Sequence, residues 1–303
     1  MVIEFEKYNG LGNDFIFIDG TGEAVELTPQ QVSFLCDRHF GIGADGVIVV
    51  RKADGADGYM HYINSDGSLA QMCGNGVRCF AKYLVDHGMV DASSGRLLAM
   101  TLAGPRPIAF DVDDEGKMTV ATVEMGQPIL EPAEVPCLLP GASLGRLGTV
   151  ACEQAIDSPW GPFAFTAVSM GNPHAVCFVD DWQALDDGLF TDAERKGLDT
   201  LRIDEVGAWY ESHGAFPQKT NVEFAEVTPE GVRMRVFERG CGETLACGTG
   251  ACATAVAACL TGRAERAVTV SLKGGALAIE WGEDGVVRMT GPAAFAFSGT
   301  IQL

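Results

Sequence analysis

One pattern occurs twice in the 303-residue chain and limits its fold more than any other feature. In each copy a strand-like run ends in a polar residue, an eight-residue loop follows, and Cys-Gly-x-Gly opens a stretch of helix formers. The first copy runs through residues 58–63, Asn64, Cys73-Gly74-Asn75-Gly76 and residues 77–85. The second runs through residues 232–237, Glu238, Cys247-Gly248-Thr249-Gly250 and residues 251–260. Upstream, each half carries Gly-Asn followed by an apolar strand ending in aspartate: Gly12-Asn13 to Asp19, and Gly171-Asn172-Pro173-His174 to Asp180. A single Cys-Gly-x-Gly usually marks a buried structural cysteine. Two copies in matched surroundings predict two similar domains facing each other across a cleft, each contributing a thiol.

The length is enough for two domains with their own cores. Hydrophobic residues make up 47% of the chain and charged residues 20%, an ordinary globular balance. A formal charge of -20 argues against nucleic acid or an anionic membrane surface as partner. No run approaches the ~18 apolar residues of a membrane span. The first residues, Met1-Val2-Ile3-Glu4-Phe5-Glu6-Lys7, lack the basic and apolar regions of a signal peptide, so a cytoplasmic location is expected. In that compartment the ten cysteines are expected to be reduced. They include no Cys-x-x-Cys pair, the five histidines are scattered, and no metal site is assigned. Most of the cysteines, Cys252 and Cys259 especially, read as small core residues on a helix face.

Along the chain, Thr28-Pro29 reads as the cap and first residue of a helix reaching about Cys36. Gly88 suits the end of a helix over residues 76–87, and Gly262 the end of one over 250–260. A further helix is predicted over 202–212. Strands are predicted at 47–50, 59–63, 97–102, 108–112, 118–124, 163–169, 175–180, 221–227 and 232–237, with four short strands after residue 262. Pro128, Pro132, Pro136 and Pro140 mark residues 127–148 as a linker, since proline disrupts both helices and sheet ladders. Strands and helices do not alternate strictly. The predicted class is therefore α+β, with curved, mainly antiparallel sheets. The expected domains are residues 1–127, joined by a C-terminal strand at 290–303, and residues 128–289.

A helix start presents unpaired N–H groups and the positive end of the dipole, which favours thiolate over thiol. Two such thiols facing one carbon from opposite sides can invert it: one, as thiolate, removes a proton and the other, as thiol, delivers one. Positioned acid–base catalysis supplies roughly 10²–10⁴-fold, too little alone for an amino-acid α-carbon. Stabilisation of the carbanion and exclusion of water must add the rest. The N–H groups of Gly74, Asn75, Gly248 and Thr249 are placed to hold a carboxylate on which enolate charge develops. No lysine stands in a recognisable pyridoxal-phosphate setting, so no cofactor is assigned.

The matched segments carry a further likeness. They are Lys7-Tyr8-Asn9-Gly10-Leu11-Gly12-Asn13-Asp14-Phe15, Arg38-His39-Phe40-Gly41-Ile42-Gly43-Ala44-Asp45-Gly46, Asn64-Ser65-Asp66-Gly67-Ser68 and residues 71–80 around Cys73. To these are added Met170-Gly171-Asn172-Pro173-His174, Asn221-Val222, residues 238–250 and Thr290-Gly291-Pro292-Ala293-Ala294-Phe295. Across nearly its whole length the chain resembles the diaminopimelate epimerase family. The resemblance implies cofactor-independent conversion of LL-diaminopimelate to the meso form, feeding lysine and peptidoglycan synthesis. It implies Cys73 and Cys247 as the acid/base pair, and Asn13, Asn64, Asn172, Asn221, Glu238 and Arg239 as substrate-binding residues. The amides at Gly74-Asn75 and Gly248-Thr249 would hold a carboxylate, and His174 and Glu238 would tune the thiols. The implied fold is two pseudo-symmetric domains, each a sheet wrapped around a central helix, in a protein that forms homodimers.

One departure is Gly46, where some family members carry a glutamine that touches substrate; the chain also looks longer than the family core around residues 131–148. Taken singly, Asn13 and Asn172 read as turn residues after glycine, His174 as a satisfied loop or core histidine, and Glu238-Arg239 as a solvated pair. Arg78 reads as exposed and outside the site. Gly41-Ile42-Gly43 lacks Rossmann or P-loop spacing. The alternatives are a two-cysteine racemase acting on proline or hydroxyproline, and a thiol redox or metal-binding protein. Relatives of the first kind typically carry histidine where this chain has Asn75.

Overall fold

The computed structural model describes residues 2–303. The chain forms two compact units, Met1–Glu124 with Thr290–Leu303, and Met125–Met289. Each is an α+β unit dominated by sheet, with the same order of elements.

In the first unit β1 (Val2–Gly10) and β2 (Asn13–Asp19) form an antiparallel hairpin. Helix α1 (Pro29–Cys36) then leads to β3 (Gly46–Arg51), which runs parallel to β2. Thr28 caps α1 as expected, and a capping box forms there: Thr28 accepts from the Gln31 amide, and the Gln31 side chain accepts from the Thr28 amide. β4 (Gly58–Asn64) returns antiparallel to β3, and α2 (Gly74–Asp86) crosses to β5 (Arg96–Thr101), parallel to β4. β6 (Gly104–Val112) and β7 (Met118–Gly126) continue as an antiparallel meander.

Strand alternation decides what each face of this sheet covers. Ile16 and Ile18 of β2, with Val47 and Val49 of β3, join Val32 and Leu35 of α1 in one apolar cluster. Phe17 points the other way and stacks on Tyr83 of α2, centroids 5.5 Å apart. Both faces are covered, which is why the run Phe15-Ile16-Phe17-Ile18 is continuously apolar. Helix α2 is enclosed by β1 to β5.

Residues 127–148 are not a free linker. Leu130, Val135, Cys137 and Leu139 are buried, and the last three belong to the core of the second unit. A bridge joins Ile129 to Ser169, and β8 (Ala142–Ser143) pairs with β9 (Thr149–Val150). The prolines deny this segment a long ladder, but its alternate apolar side chains still pack.

The second unit repeats the first. β10 (Gln154–Ile156) edges β11 (Phe163–Ser169), which forms an antiparallel hairpin with β12 (Pro173–Phe178). Helix α3 (Ile203–Glu211) leads to β13 (Asn221–Thr228), parallel to β12. β14 (Gly231–Glu238) is antiparallel to β13 and carries the two-residue β15 (Gly242–Glu243). Helix α4 (Gly248–Leu260) crosses to β16 (Ala267–Leu272), parallel to β14, and β17 (Gly275–Trp281) follows antiparallel. Val222 and Phe224 of β13 pack with Ile203, Val206 and Tyr210 of α3. Helix α4 is Ala-rich, apolar all round and enclosed by β11 to β14, β16 and β17. After β18 (Val287–Pro292) the last strand, β19 (Ala294–Gln302), pairs antiparallel with β1 of the first unit.

Candidate active site

Both Cys-Gly-x-Gly cysteines are helix N-caps. Cys73 caps α2 and Cys247 caps α4, each in extended backbone, with helix beginning at the next residue. The helices therefore start two residues earlier than the sequence suggested, and the two glycines of each motif lie inside the first turn. The reason at Gly250 is space. A methyl there would lie 2.8 Å from Glu223 Oε1 and 3.3 Å from Cys247 Sγ.

In the first unit the half-buried Cys73 thiol donates to Asn13 Oδ1 at 3.5 Å. Asn75 donates to the same oxygen at 3.2 Å, and Asn13 donates in turn to Asp45 at 2.5 Å. Arg78 closes the other end, donating to Asn75 Oδ1 at 3.0 Å, Gly74 O at 3.4 Å and Pro292 O at 3.2 Å. Guanidinium only donates and carboxylate only accepts, so this chain fixes the orientation of both amides. Arg78, read as exposed from the sequence, is 0% exposed. It sits one turn into α2 and ties the thiol-bearing helix start to the chain entering β19. Asp45 is braced by Arg38 at 2.8 Å, and Asp14 by both Arg38 and Lys7 at 2.8 Å. Burial works against the Asp14 carboxylate, but hydrogen bonds from Arg38 and Lys7 hold it below the usual range. Asn64 ends β4, where its side chain donates to Ser68 at 3.0 Å, closing a turn rather than joining the Asn13 network. At Gly46 a side chain would meet the Tyr62 ring at 2.5 Å and Ile63 O at 2.6 Å, so the aromatic residue takes the space.

In the second unit Cys247 is 5% exposed; Gly250 N donates to its sulfur at 3.4 Å, and Thr249 Oγ1 lies at 3.5 Å. The sequence predicted a thiol lowered by the helix start. Here burial, then the charge of Glu238, pushes the Cys247 thiol well up, outweighing the bonds from Thr249 and Gly250. His174 lies on β12, fully buried, with Nδ1 2.6 Å from Glu223 Oε1 and Nε2 3.2 Å from Asn172 Oδ1. Asn221 donates to Pro173 O at 2.8 Å and accepts from the Arg239 amide at 2.9 Å, linking the start of β12 to the loop after β14. Thr244 donates to Glu238 at 2.5 Å. Arg239 is exposed, with its guanidinium on Gln218 O at 3.1 Å.

Glu223 was missed in the sequence. Its one signal was an acid in the middle of the apolar run 221–225, with neighbours Val222 and Phe224 facing α3 and Glu223 therefore facing α4. The remaining buried thiols differ in setting: desolvation pushes Cys36, Cys79 and Cys177 up to about 12, and none caps a helix. No group of three or more His, Cys, Asp or Glu side chains suited to a metal occurs among the described residues.

Known proteins resemble this chain in sequence and fold. The family model described as diaminopimelate epimerase covers residues 5–131 and 166–296. The chain belongs to the diaminopimelate epimerase family. A diaminopimelate epimerase of Desulfitobacterium hafniense is 47% identical over 303 residues, spanning 99% of this chain and 98% of that protein. One from Leptospira biflexa is 41% identical, spanning both chains fully (100% of each). Among solved structures, a hydroxyproline epimerase from Agrobacterium vitis superposes with a TM-score of 0.68 at 15% identity, over 99% of this chain and 92% of that one. A phenazine biosynthesis protein from Bacillus anthracis gives 0.64 at 14% identity over 100% of both. These two show a shared fold.

Proposed function

We propose that this enzyme epimerises LL-diaminopimelate to meso-diaminopimelate, reversibly and without a cofactor, supplying lysine and peptidoglycan precursors. The observation that carries the proposal is the pair of cysteine N-caps at equivalent positions of two repeated units in a diaminopimelate epimerase family member. Cys73 and Cys247 are the acid/base pair. One sulfur, as thiolate, takes the α-proton onto itself; the other, as thiol, gives its proton to the opposite face of the same carbon. Atoms and charge balance, and the two sulfurs exchange roles in the reverse direction.

The substrate α-carboxylate sits on the helix-start amides of Gly74, Asn75, Gly248 and Thr249, where developing enolate charge meets donors already aimed at it. Asn13, Asn64, Asn172, Asn221, Glu238 and Arg239 recognise the remaining amino and carboxylate groups. Asn221 has one amide N–H left for this after its bonds to Pro173 and Arg239, and Arg239 is free of burial and able to pair with a carboxylate. His174 and Glu238 tune the thiols. A Cys247 held up by burial and the charge of Glu238 stays protonated until substrate arrives, and a cationic amino group beside it then favours the thiolate. Each pKa unit so gained is worth about 1.4 kcal/mol. The chain acts as two domains, 1–127 with 290–303 and 128–289, in a cytoplasmic homodimer. Among the described residues no helix is long and apolar enough to cross a membrane.

Incubation with LL-diaminopimelate in deuterated water tests this. The meso isomer should form without added cofactor, with deuterium entering only at the inverted α-carbon. Turnover of proline or hydroxyproline instead would move the activity to the other two-cysteine racemases.

A further inference from the structure

Glu223 is the one fully buried acid in the second unit that the two-thiol chemistry leaves without a role. It is 0% exposed, Oε1 lies 2.6 Å from His174 Nδ1, and Oε2 has no hydrogen-bond partner. Burial pushes its carboxyl up, only partly offset by His174, with Glu238's charge adding to the rise. An ionised carboxylate with one oxygen bare would be costly there, whereas a neutral acid leaves only a carbonyl oxygen unpaired. The other side of the imidazole makes the same demand. Asn172 presents Oδ1 to Nε2 at 3.2 Å, so Nε2 must carry a proton. A neutral imidazole protonated at Nε2 has a bare Nδ1, which needs a donor, and Glu223 Oε1 is the atom within reach.

We propose that Glu223 is a positioning residue: its neutral carboxyl donates to His174 Nδ1, fixes the Nε2–H tautomer, and so holds Asn172 with Oδ1 inward and its NH2 group turned to the substrate. The relay rests on Asn172 binding a substrate carboxylate, as proposed above. It gives His174 a defined task besides tuning the thiol. It also explains why Gly250 is a glycine, since any side chain there would strike the Glu223 oxygen that makes the bond.

Two measurements test it. Nitrogen-15 NMR of the histidine rings should show His174 protonated at Nε2 and bare at Nδ1. Glu223→Gln, which still offers an N–H to Nδ1, should keep that pattern, and Glu223→Leu should lose it. A proton on Nδ1 in the wild type, alone or in an imidazolium, overturns the proposal. In kinetics with LL-diaminopimelate, Glu223→Leu should raise KM about tenfold with kcat changed far less, Glu223→Gln should restore KM to within about twofold, and Asn172→Ala should match the leucine variant. The double variant should be no worse than Asn172→Ala alone, because both changes remove one contact. An unchanged KM in Glu223→Leu or Asn172→Ala, or fully additive losses, overturns the relay. A wild type inactive on LL-diaminopimelate sinks the functional proposal instead, and the ring nitrogens still decide the role of Glu223.

Discussion

Gly250→Ala and Gly76→Ala make the same change at equivalent positions and should give opposite results. Each adds one methyl to the third residue of a helix, where alanine gains up to ~1 kcal/mol over glycine in propensity. At Gly76 the methyl would meet Ile48 Cδ1 at 3.3 Å and Cys73 Cβ at 3.5 Å, contacts a flexible side-chain end can yield to. At Gly250 it would press within 2.8 Å of Glu223 Oε1 and 3.3 Å of Cys247 Sγ. Glu223 is locked against His174 and cannot swing away without breaking that bond. Overpacking of this kind costs ~1–3 kcal/mol, so with the propensity gain set against it Gly250→Ala should be destabilised by up to ~2 kcal/mol net, while Gly76→Ala should be stabilised by up to ~1 kcal/mol. The assay is simplified by the tryptophans: Trp160, Trp182, Trp209 and Trp281 all belong to the second unit. Urea unfolding followed by tryptophan fluorescence reads Gly250→Ala in its own unit, and far-UV circular dichroism reads Gly76→Ala. Because the methyl displaces the thiol as well as the acid, Gly250→Ala should also lose at least tenfold in kcat. A Gly250→Ala variant as stable and active as wild type would refute the placement of Glu223 against the Cys247 helix start.

Arg78→Leu should destabilise the first unit by roughly 3–5 kcal/mol, since it strands the buried Gly74 and Asn75 acceptors, loses the bond to Pro292 O and unlocks the Asn75–Asn13 orientation. A loss below ~1 kcal/mol by urea unfolding with circular dichroism would show that the buried guanidinium is not structural. Glu238→Gln removes a negative charge that raises the Cys247 thiol, after burial the largest contribution. A lower thiol pKa means thiolate at lower pH, so in the direction where Cys247 is the base the rising limb of kcat/KM against pH should move to lower pH, whatever happens to its height. A limb that stays put or moves up would remove Glu238 from the thiol's surroundings.

Much of this was legible in the chain itself. The repeated motif, the polar residue ending each strand and the Gly-Asn turns were enough to anticipate a duplicated α+β unit, because local signals and tertiary placement agree there. Thr28-Pro29 carried the start of α1 in full. What failed depended on tertiary surroundings. Arg78 looks like a surface residue until Pro292, far along the chain, is brought to its guanidinium. The prolines of residues 127–148 hid an apolar alternation that packs into a core. The helix-start rule predicted a lowered thiol at Cys247, yet burial and the charge of Glu238 from another strand outweigh it. Glu223 was invisible because which face of β13 it occupies, and that Gly250 lies opposite, follow only from the fold.

The most direct test of two-thiol catalysis is α-hydrogen exchange in deuterated water by the separate variants Cys73→Ala and Cys247→Ala. Neither should interconvert LL- and meso-diaminopimelate, while each, keeping one base, should exchange the α-hydrogen of one epimer without inverting it, and the two variants should act on opposite epimers. Interconversion at the wild-type rate by either variant would contradict it.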